Sequence, residues 1–305
     1  MTDKLDIYIG RLQHLPAAPT VVVKLVALFR KHNLEVDEIV SLMSQDPSLT
    51  AEVLRSANSA YFGDDDQVVG VFEAIMRLGL YKVYQMAMAN FGATVLSFSR
   101  NVGGIDVETL WRHSAAVASA AGLIARKVEE PEALAFTAGL LHDVGKIVLG
   151  AAEGTAYAAL AREAVETGVP LQQAEAKRFG FGHAEVGARL LAKWGLPEEI
   201  AVPVRFHHEV GWPEPVERIC AIVSLANFVA HAAAGHEEGK QNSSPEAAYA
   251  MSVLWSGDED LALLLQEAQS EMSKLTGILG VKPASATAPA VVGARPAPAL
   301  ARVSS

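Results

Sequence analysis

Apolar residues recur at helical spacing along almost the whole chain, and no other sequence feature constrains the fold as strongly. A helix that begins near Pro19 carries four of them on one face: Val22, Leu25, Val26 and Phe29. No segment shows sustained alternation of apolar and polar residues between Asn-Gly or Asp-Gly turns, which is the pattern typical of strands. The sequence therefore predicts an all-α fold, a multi-helix bundle with short connections.

Interruptions of this pattern predict the domain organisation. The Asn-Val-Gly-Gly segment at residues 101–104 separates an N-terminal helical lobe (1–100) from a second helical lobe (101–280), onto which the first packs. Residues 281–305 are rich in Ala and Pro, show no period and are expected to be disordered. In the first lobe, Asp46 and Pro47 predict a helix start, and Gly79 predicts a helix end before a longer helix over about 80–96. In the second lobe, helices are expected over about 106–128, 132–150, 155–167, 170–179, 183–194, 197–208, 214–234 and 258–279.

Composition narrows the class of protein. The chain has 305 residues, of which 50% are hydrophobic, so it can bury a large core. Its formal net charge of -10 argues against binding to a nucleic-acid backbone, which attracts Lys and Arg. Cys220 is the only cysteine, which excludes intrachain disulfides and four-cysteine zinc sites. The N-terminus lacks a recognisable secretory signal, and the longest uncharged apolar stretch, around Ala115 to Ala125, is shorter than a membrane span. We therefore expect a cytoplasmic protein that binds neither nucleic acid nor membrane.

Five of the nine histidines lie at or near the apolar faces of expected helices: His113, His142, His183, His207 and His208. His142 is followed directly by Asp143 within the expected helix over 132–150, so these two side chains should point about 100° apart and flank one ion or reach two. Neutral imidazole nitrogens and ionised carboxylate oxygens are ligands for iron, manganese and zinc. Helices that converge with these side chains facing inward therefore predict a metal site.

Each candidate ligand also has a purely structural interpretation. A lone inward histidine such as His113 or His183 is more often a core residue hydrogen-bonded to a carbonyl than a ligand. The two histidines at residues 207 and 208 can form a polar helix end, and His142 with Asp143 can form a buried hydrogen-bonded pair. Several inward-facing imidazoles, however, each need a bonding partner for a ring nitrogen, and a single metal ion can serve all of them. The remaining histidines are interpreted as ordinary: His14, His32, His231 and His236.

Three motifs resemble those of the HDOD domain, the bacterial HD-related output domain. They are Leu-Pro-Ala-Ala-Pro at 15–19, Asp-Pro-Ser-Leu-Thr-Ala at 46–51 running into Leu-Arg-Ser-Ala-Asn-Ser-Ala-Tyr-Phe-Gly at 54–63, and Ala-Ile-Met-Arg-Leu-Gly at 74–79. The resemblance spans about residues 12 to 230. It implies that the second lobe is HD-like, related to the HD phosphohydrolases. It also implies a bacterial signalling module that is usually noncatalytic and that works through a protein partner.

The resemblance further implies a ligand set. In HD-type phosphodiesterases a histidine, a His-Asp dyad, further histidines and a final aspartate hold one or more metal ions. The matching residues in this chain are His113, His142, Asp143, His183, His207 or His208, and Asn227. Asn227 departs from the pattern, because an amide oxygen can coordinate but carries no charge to offset a divalent cation, so metal affinity should fall. A single ion, iron or manganese rather than zinc, held by His113, His142, Asp143 and one further His, is feasible; a fully occupied two-metal centre is not expected.

Two functions compete on this basis. The first is a noncatalytic or weakly catalytic signalling module with a vestigial metal site. The alternative is an active metal-dependent phosphohydrolase or phosphodiesterase, with Asp143 as ligand and Lys146 neutralising charge on phosphate oxygens. Lys146 can equally be a solvated residue on an exposed helix face. The Gly-Tyr-Pro signature of related cyclic-dinucleotide phosphodiesterases is absent after His208, so that substrate is not supported. An N-terminal side chain such as Phe62 or Phe72 over the cavity would block substrate entry and disfavour catalysis.

Overall fold

The structure, a computed structural model, describes residues 4–10, 20–31, 33–58, 67–97, 106–234, 244–255 and 261–278. Within these ranges the chain is helical and contains no strand, which confirms the all-α prediction. The helices are α1 (Lys4–Gly10), α2 (Thr20–Phe29), α3 (Val36–Met43), α4 (Pro47–Ala57), α5 (Val71–Leu78), α6 (Leu80–Ser97), α7 (Val107–Lys127), α8 (Glu132–Leu141), α9 (Val144–Glu153), α10 (Thr155–Thr167), α11 (Leu171–Phe179), α12 (His183–Lys193), α13 (Glu198–Phe206), α14 (Glu217–Ala233), α15 (Pro245–Leu254) and α16 (Leu261–Ile278).

The helix ends follow local sequence signals in the first lobe. The carboxylate of Asp46 accepts hydrogen bonds from the backbone N–H groups of Ser48 and Leu49, which confirms the predicted start of α4. Gly79 lies between α5 and α6 with a φ of 85°, a backbone conformation that favours glycine. The predicted end of one helix and start of the next at this glycine are therefore also confirmed.

The prediction of one helix over 132–150 is wrong, because the chain breaks between α8 and α9 at His142 and Asp143. Asp143 has a φ of -99° and a ψ of 9°, which lies outside the α-helical region. The two residues thus form a two-residue break between the helices. The separation of about 100° expected for successive helical positions does not apply to them.

Helix α15 was not predicted, although its start carries recognisable signals. Ser244 accepts a hydrogen bond from the backbone N–H of Ala247, and Pro245 occupies the first helical position. The helix is short and rich in Ala, so it offers only a weak apolar stripe: Ala247, Ala250 and Leu254 are its buried residues.

Some sequence-based expectations concern residues outside the described ranges. These are the motif at 15–19, part of the motif at 54–63 including Phe62, the boundary segment at 101–104, and the C-terminal segment at 281–305. The division into lobes at residue 100 and the disorder of the C-terminal segment therefore remain predictions.

The core consists of two apolar clusters that meet around α8. The larger cluster joins helices from both sides of residue 100, with Leu25 and Met88 on one side and Phe136 and Leu190 on the other. The second cluster lies between α7, α14, α15 and α16. Residues 133–141 of α8 are all buried. Glu132–Glu153 is the one stretch of the described chain that is long and apolar enough to cross a membrane by composition, but 94% of its apolar window is buried inside the protein, as in a core helix.

Helices α9 and α12 pack closely at Gly145. A Cβ atom at this position would overlap the carbonyl oxygen of His183 and would lie 2.8 Å from the backbone nitrogen of Gly187. Backbone atoms of a helix cannot move aside as a flexible side chain can. The glycine therefore permits the first residue of α12 to approach the start of α9.

Substitution of Gly145 by alanine should therefore separate the two helices. We expect Gly145→Ala to lower the free energy of unfolding by about 3 kcal/mol, the upper part of the range for an overpacked core. Gly70→Ala is the matched control, since a Cβ at Gly70 meets no atom within 4 Å and its φ of -110° suits any residue. The control should lose less than about 1 kcal/mol. Urea unfolding of both variants measures the difference, and equal losses would contradict the close-packing argument.

Candidate metal centre

Asp143 lies at the centre of the predicted histidine cluster. Its side chain is 1% exposed, and the junction between α8 and α9 places its two carboxylate oxygens among five side chains: His113, His142, Lys146, His183 and His207. A buried carboxylate requires compensating positive or hydrogen-bonding groups, because burial removes its hydration. The surroundings of the two oxygens differ, and we name them separately as the Oδ1 side and the Oδ2 side.

On the Oδ2 side lie His113 and His142. The Nε2 atom of His113, delivered by α7, is 3.8 Å from Oδ2, and the Nε2 atom of His142 is 3.3 Å from it. Lys146, one turn along α9, places its Nζ 2.7 Å from the same oxygen. Its side chain is 20% exposed, so Lys146 is an ion-pair partner of Asp143 and not the solvated residue of the alternative interpretation.

On the Oδ1 side lie His183, His207 and His208. The Nε2 atoms of His183 and His207 are 3.3 Å and 3.8 Å from Oδ1. The Nε2 atoms of His183 and His208 are 3.1 Å apart. Asp143 and these three histidines each offer one ligand atom, and the four atoms lie within 4.8 Å of one another. The same holds for one ligand atom each of His113, His142 and Asp143. The fold thus brings five of the predicted imidazoles around one carboxylate.

Backbone carbonyls determine which ring nitrogens carry protons. His142 Nδ1 donates to the carbonyl oxygen of Gly139, and His207 Nδ1 donates to that of Val204, each at 2.7 Å. A carbonyl oxygen can only accept, so in the neutral ring the proton is on Nδ1 and the Nε2 lone pair faces Asp143. This arrangement orients an imidazole for metal coordination.

Glu175 on α11 orients His183, and the sequence analysis missed it. This fully buried carboxylate accepts hydrogen bonds at Oε2 from the backbone N–H and the Nδ1 of His183, at 2.8 Å and 2.7 Å, and at Oε1 from the Tyr157 hydroxyl at 2.6 Å. Glu175 shares a helix face with Leu171 and Phe179, four residues to either side. A carboxylate between two apolar positions of one helix face is the sequence signal that indicates such a buried residue.

Asn227 and His231 lie one turn apart on α14, which packs against α7. The ring of His231 contacts that of His113, with centroids 4.5 Å apart, so this histidine is less ordinary than its sequence setting indicated. Asn227 is 8% exposed, and its Oδ1 has no hydrogen-bond partner in the described structure. The amide therefore has an acceptor oxygen to offer but no charge.

Electrostatics keep the carboxylates ionised and most imidazoles neutral. Burial alone would raise the pKa of Asp143, but His142 and Lys146 outweigh burial and hold that pKa well below its usual value. Burial, with the neighbouring imidazoles, lowers the pKa of His113, His207 and His208 well below the usual value. Burial also acts to lower the pKa of His183, but Glu175 outweighs it and raises the pKa.

Three buried acceptors in the cluster lack partners, and a cation would satisfy them together. They are His142 Nε2, Asp143 Oδ1 and His207 Nε2. Lone pairs of neutral imidazole and ionised carboxylate that face one another without a shared proton are unfavourable when buried. The donor set of nitrogen and oxygen atoms suits iron, manganese or zinc. The residues present therefore fit a divalent metal ion.

A narrow cavity leads to Asp143 between α6, α7, α8 and α9. It offers 10 Å³ to the centre of a water-sized sphere, which is room for about one water molecule. Trp111 and Gly92 are among its lining residues, and a Cβ at Gly92 would lie 2.7 Å from the Trp111 ring. Phe72 is 51% exposed and is not among the residues that line the cavity, which include Val95 of α6 and Trp111.

Removal of the Glu175 carboxylate should destabilise this arrangement even without metal. Glu175→Leu leaves three buried donors unpaired, so we expect the free energy of unfolding to fall by about 3 kcal/mol or more. Glu185→Leu is the matched control at the same end of α12, because Glu185 accepts one bond, from the Gly182 N–H at 2.9 Å. It should cost about 1 kcal/mol. Denaturant unfolding of both proteins checks this, and similar losses would show that Glu175 holds no special position.

Comparison with known proteins agrees with the geometry. The HDOD domain profile matches residues 15–210, more than half of the chain. A crystal structure of an HDOD domain protein of unknown function from Geobacter sulfurreducens aligns with a TM-score of 0.73 at 26% identity, covering 90% of this chain and 95% of that one.

Curated relatives are longer proteins. An uncharacterized protein of Treponema pallidum (strain Nichols) is 27% identical over 231 residues, which cover 74% of this chain and 44% of that protein. Ribonuclease Y of Aquifex aeolicus (strain VF5) is 26% identical over 212 residues, 63% of this chain and 32% of the relative. The chain thus spans less than half the length of these two relatives. From the profile match, the motifs and the histidine cluster together, the chain belongs to the HDOD domain family.

Proposed function

We propose that this chain is a signalling output module with a closed metal centre, and that it acts on a protein partner and does not turn over a phosphate ester. The observation that carries the proposal is the burial of the cluster: Asp143, His142, His183 and His207 are each at most 2% exposed, and the cavity that Asp143 lines offers only 10 Å³ to the centre of a water-sized sphere. A phosphodiester is several times larger than the single water molecule that such a space admits. Membership of the HDOD family supports a regulatory role.

The metal-holding residues are Asp143 with the surrounding imidazoles. A divalent ion bound there would supply positive charge that polarises a phosphoryl oxygen and lowers the pKa of a water molecule. The chain's own groups arrange the centre around that charge. Glu175 holds the His183 ring by its Nδ1–H, and the carbonyl of Val204 does the same for His207. Orientation of this kind serves metal retention whether or not a reaction follows.

Burial gives the centre a structural role. Val95 from α6 and Trp111 from α7 line the cavity on one side of Asp143. An ion that binds the folded chain and not the unfolded chain stabilises the fold in proportion to its occupancy. Binding of a partner that recognises only the folded module would then depend on whether the metal ion is bound.

A phosphohydrolase is the second candidate function, and one contact favours it. Lys146 lies beside Asp143, with its side chain 20% exposed, where an ammonium group can also reach an anionic substrate. The likeness to ribonuclease Y of Aquifex aeolicus, 26% identical over 212 residues, points the same way. For hydrolysis, the packing around the buried Asp143 must open to admit the substrate.

Metal content and turnover distinguish the two functions. We expect the purified protein to retain iron or manganese in elemental analysis and to show no hydrolysis of bis-(p-nitrophenyl) phosphate above the metal-only background. His207→Ala should reduce the metal content, because it removes one of the buried acceptors. Metal-dependent turnover that His207→Ala abolishes would contradict the signalling proposal and support the hydrolase.

Trp111→Ala tests the closure. The smaller side chain should open the cavity, so release of the bound metal to a chelator such as EDTA should be at least several-fold faster than in the wild type. Met76→Ala is a control, since Met76 is 64% exposed and lies on α5, outside the lining of the cavity. Unchanged release rates in Trp111→Ala would show that this ring does not close the centre.

A further inference from the structure

We infer that Lys146 occupies the Oδ2 side of the centre in place of a second cation, so that the chain binds one divalent ion, on the Oδ1 side, through Asp143, His183, His207 and His208. This inference rests on the proposed metal centre. It differs from the single-ion site expected from the sequence, which used His113 and His142 as ligands with Asp143.

The Oδ2 side already holds a positive charge. Lys146 Nζ is 2.7 Å from Oδ2, closer than the Nε2 atoms of His142 at 3.3 Å and His113 at 3.8 Å. The two residues are three positions apart around the start of α9, so the helix itself holds the ammonium beside the carboxylate. A divalent ion between Oδ2 and these imidazoles would face the ammonium at short range.

Beside Oδ1 the described structure places the imidazoles of His183 and His207 and no lysine or arginine. Asp143 Oδ1 has no hydrogen-bond partner in the described structure, nor has His207 Nε2, although both are buried. His183 Nε2 and His208 Nε2 face each other at 3.1 Å, a separation at which two imidazole nitrogens share either a proton or an ion. The unmet acceptors of the cluster therefore lie mainly on this side.

Negative charge is also distributed in favour of the Oδ1 side. Glu175, a buried carboxylate, hydrogen-bonds to the far nitrogen of His183 at 2.7 Å and so adds an anion behind one of the proposed ligands. On α14, near His113, the chain carries Asn227, whose amide contributes no charge. A doubly charged ion is thus better compensated beside His183 than beside His113.

Metal stoichiometry tests the role of Lys146. Calorimetric titration of the metal-free full chain with Mn²⁺ or Co²⁺ should show one tightly bound equivalent of metal per chain in the wild type. Lys146→Met removes the ammonium and should admit a second equivalent, with an affinity at least 10-fold above any second binding by the wild type. Lys146→Arg keeps the charge and should remain at one equivalent. Lys193→Met makes the same charge change on the exposed face of α12 and should also remain at one.

Ligand variants test which side holds the ion. His208→Gln should weaken the first equivalent at least 10-fold, whereas His113→Gln should change it less than 3-fold. The visible absorption of bound Co²⁺ should likewise change with His208→Gln and not with His113→Gln. Thermal unfolding of the metal-free variants identifies any that have lost the fold, and Lys146→Met then carries the test alone.

The outcomes distinguish the existence of the metal centre from the side of Asp143 that holds the ion and from the role of Lys146. No strong binding by the wild type or by Lys146→Met would overturn the proposed metal centre and this inference with it. One strong equivalent that is lost in His113→Gln and kept in His208→Gln would overturn only the assignment to the Oδ1 side. Two strong equivalents in the wild type, or one in Lys146→Met, would overturn the role of Lys146.

Discussion

The burial of one carboxylate, Asp143, is the constraint around which the rest of the centre is organised. A charge removed from water is tolerated only when ion pairs, hydrogen bonds or a metal ion compensate it. Lys146 compensates one oxygen at 2.7 Å, and imidazoles from three further helices surround both oxygens. Gly145 belongs to the same requirement, because only a residue without a side chain lets α12 bring His183 against the start of α9.

Hydrogen bonds to the Nδ1 atoms of the imidazoles orient the rings in a way that suits a bound cation. The carbonyls of Gly139 and Val204, and the carboxylate of Glu175, each accept a hydrogen bond from the Nδ1–H of one ring, so the Nε2 atoms of these rings meet in one place. This preorganisation is independent of whether the centre is reactive. The cavity beside Asp143 is narrow and residue 227 is an amide without charge, and these two features underlie the proposal that metal is retained without turnover.

Sequence signals predicted the helices of the first lobe better than the helix boundaries around the metal centre. Apolar periodicity and end signals such as Asp46 and Gly79 predicted the helices of the first lobe, since these are local interactions. The same periodicity failed at His142, because a fully buried pair of helices is apolar all round and shows no break in pattern. Helix α15 was not predicted because its buried face consists mainly of Ala, which differs little in hydrophobicity from the residues on its other face. Glu175 was missed because its partner is eight residues away, on another helix.

Helical periodicity and short motifs are properties of neighbouring residues, so they were enough to predict the fold class, the family, and the roles of the histidines and of Asp143 as candidate ligands. The packed helices were needed to show which imidazoles face which carboxylate oxygen and that Lys146 is an ion-pair partner of Asp143. Charge compensation depends on distances between residues far apart in the chain, and these distances exist only once the helices have packed.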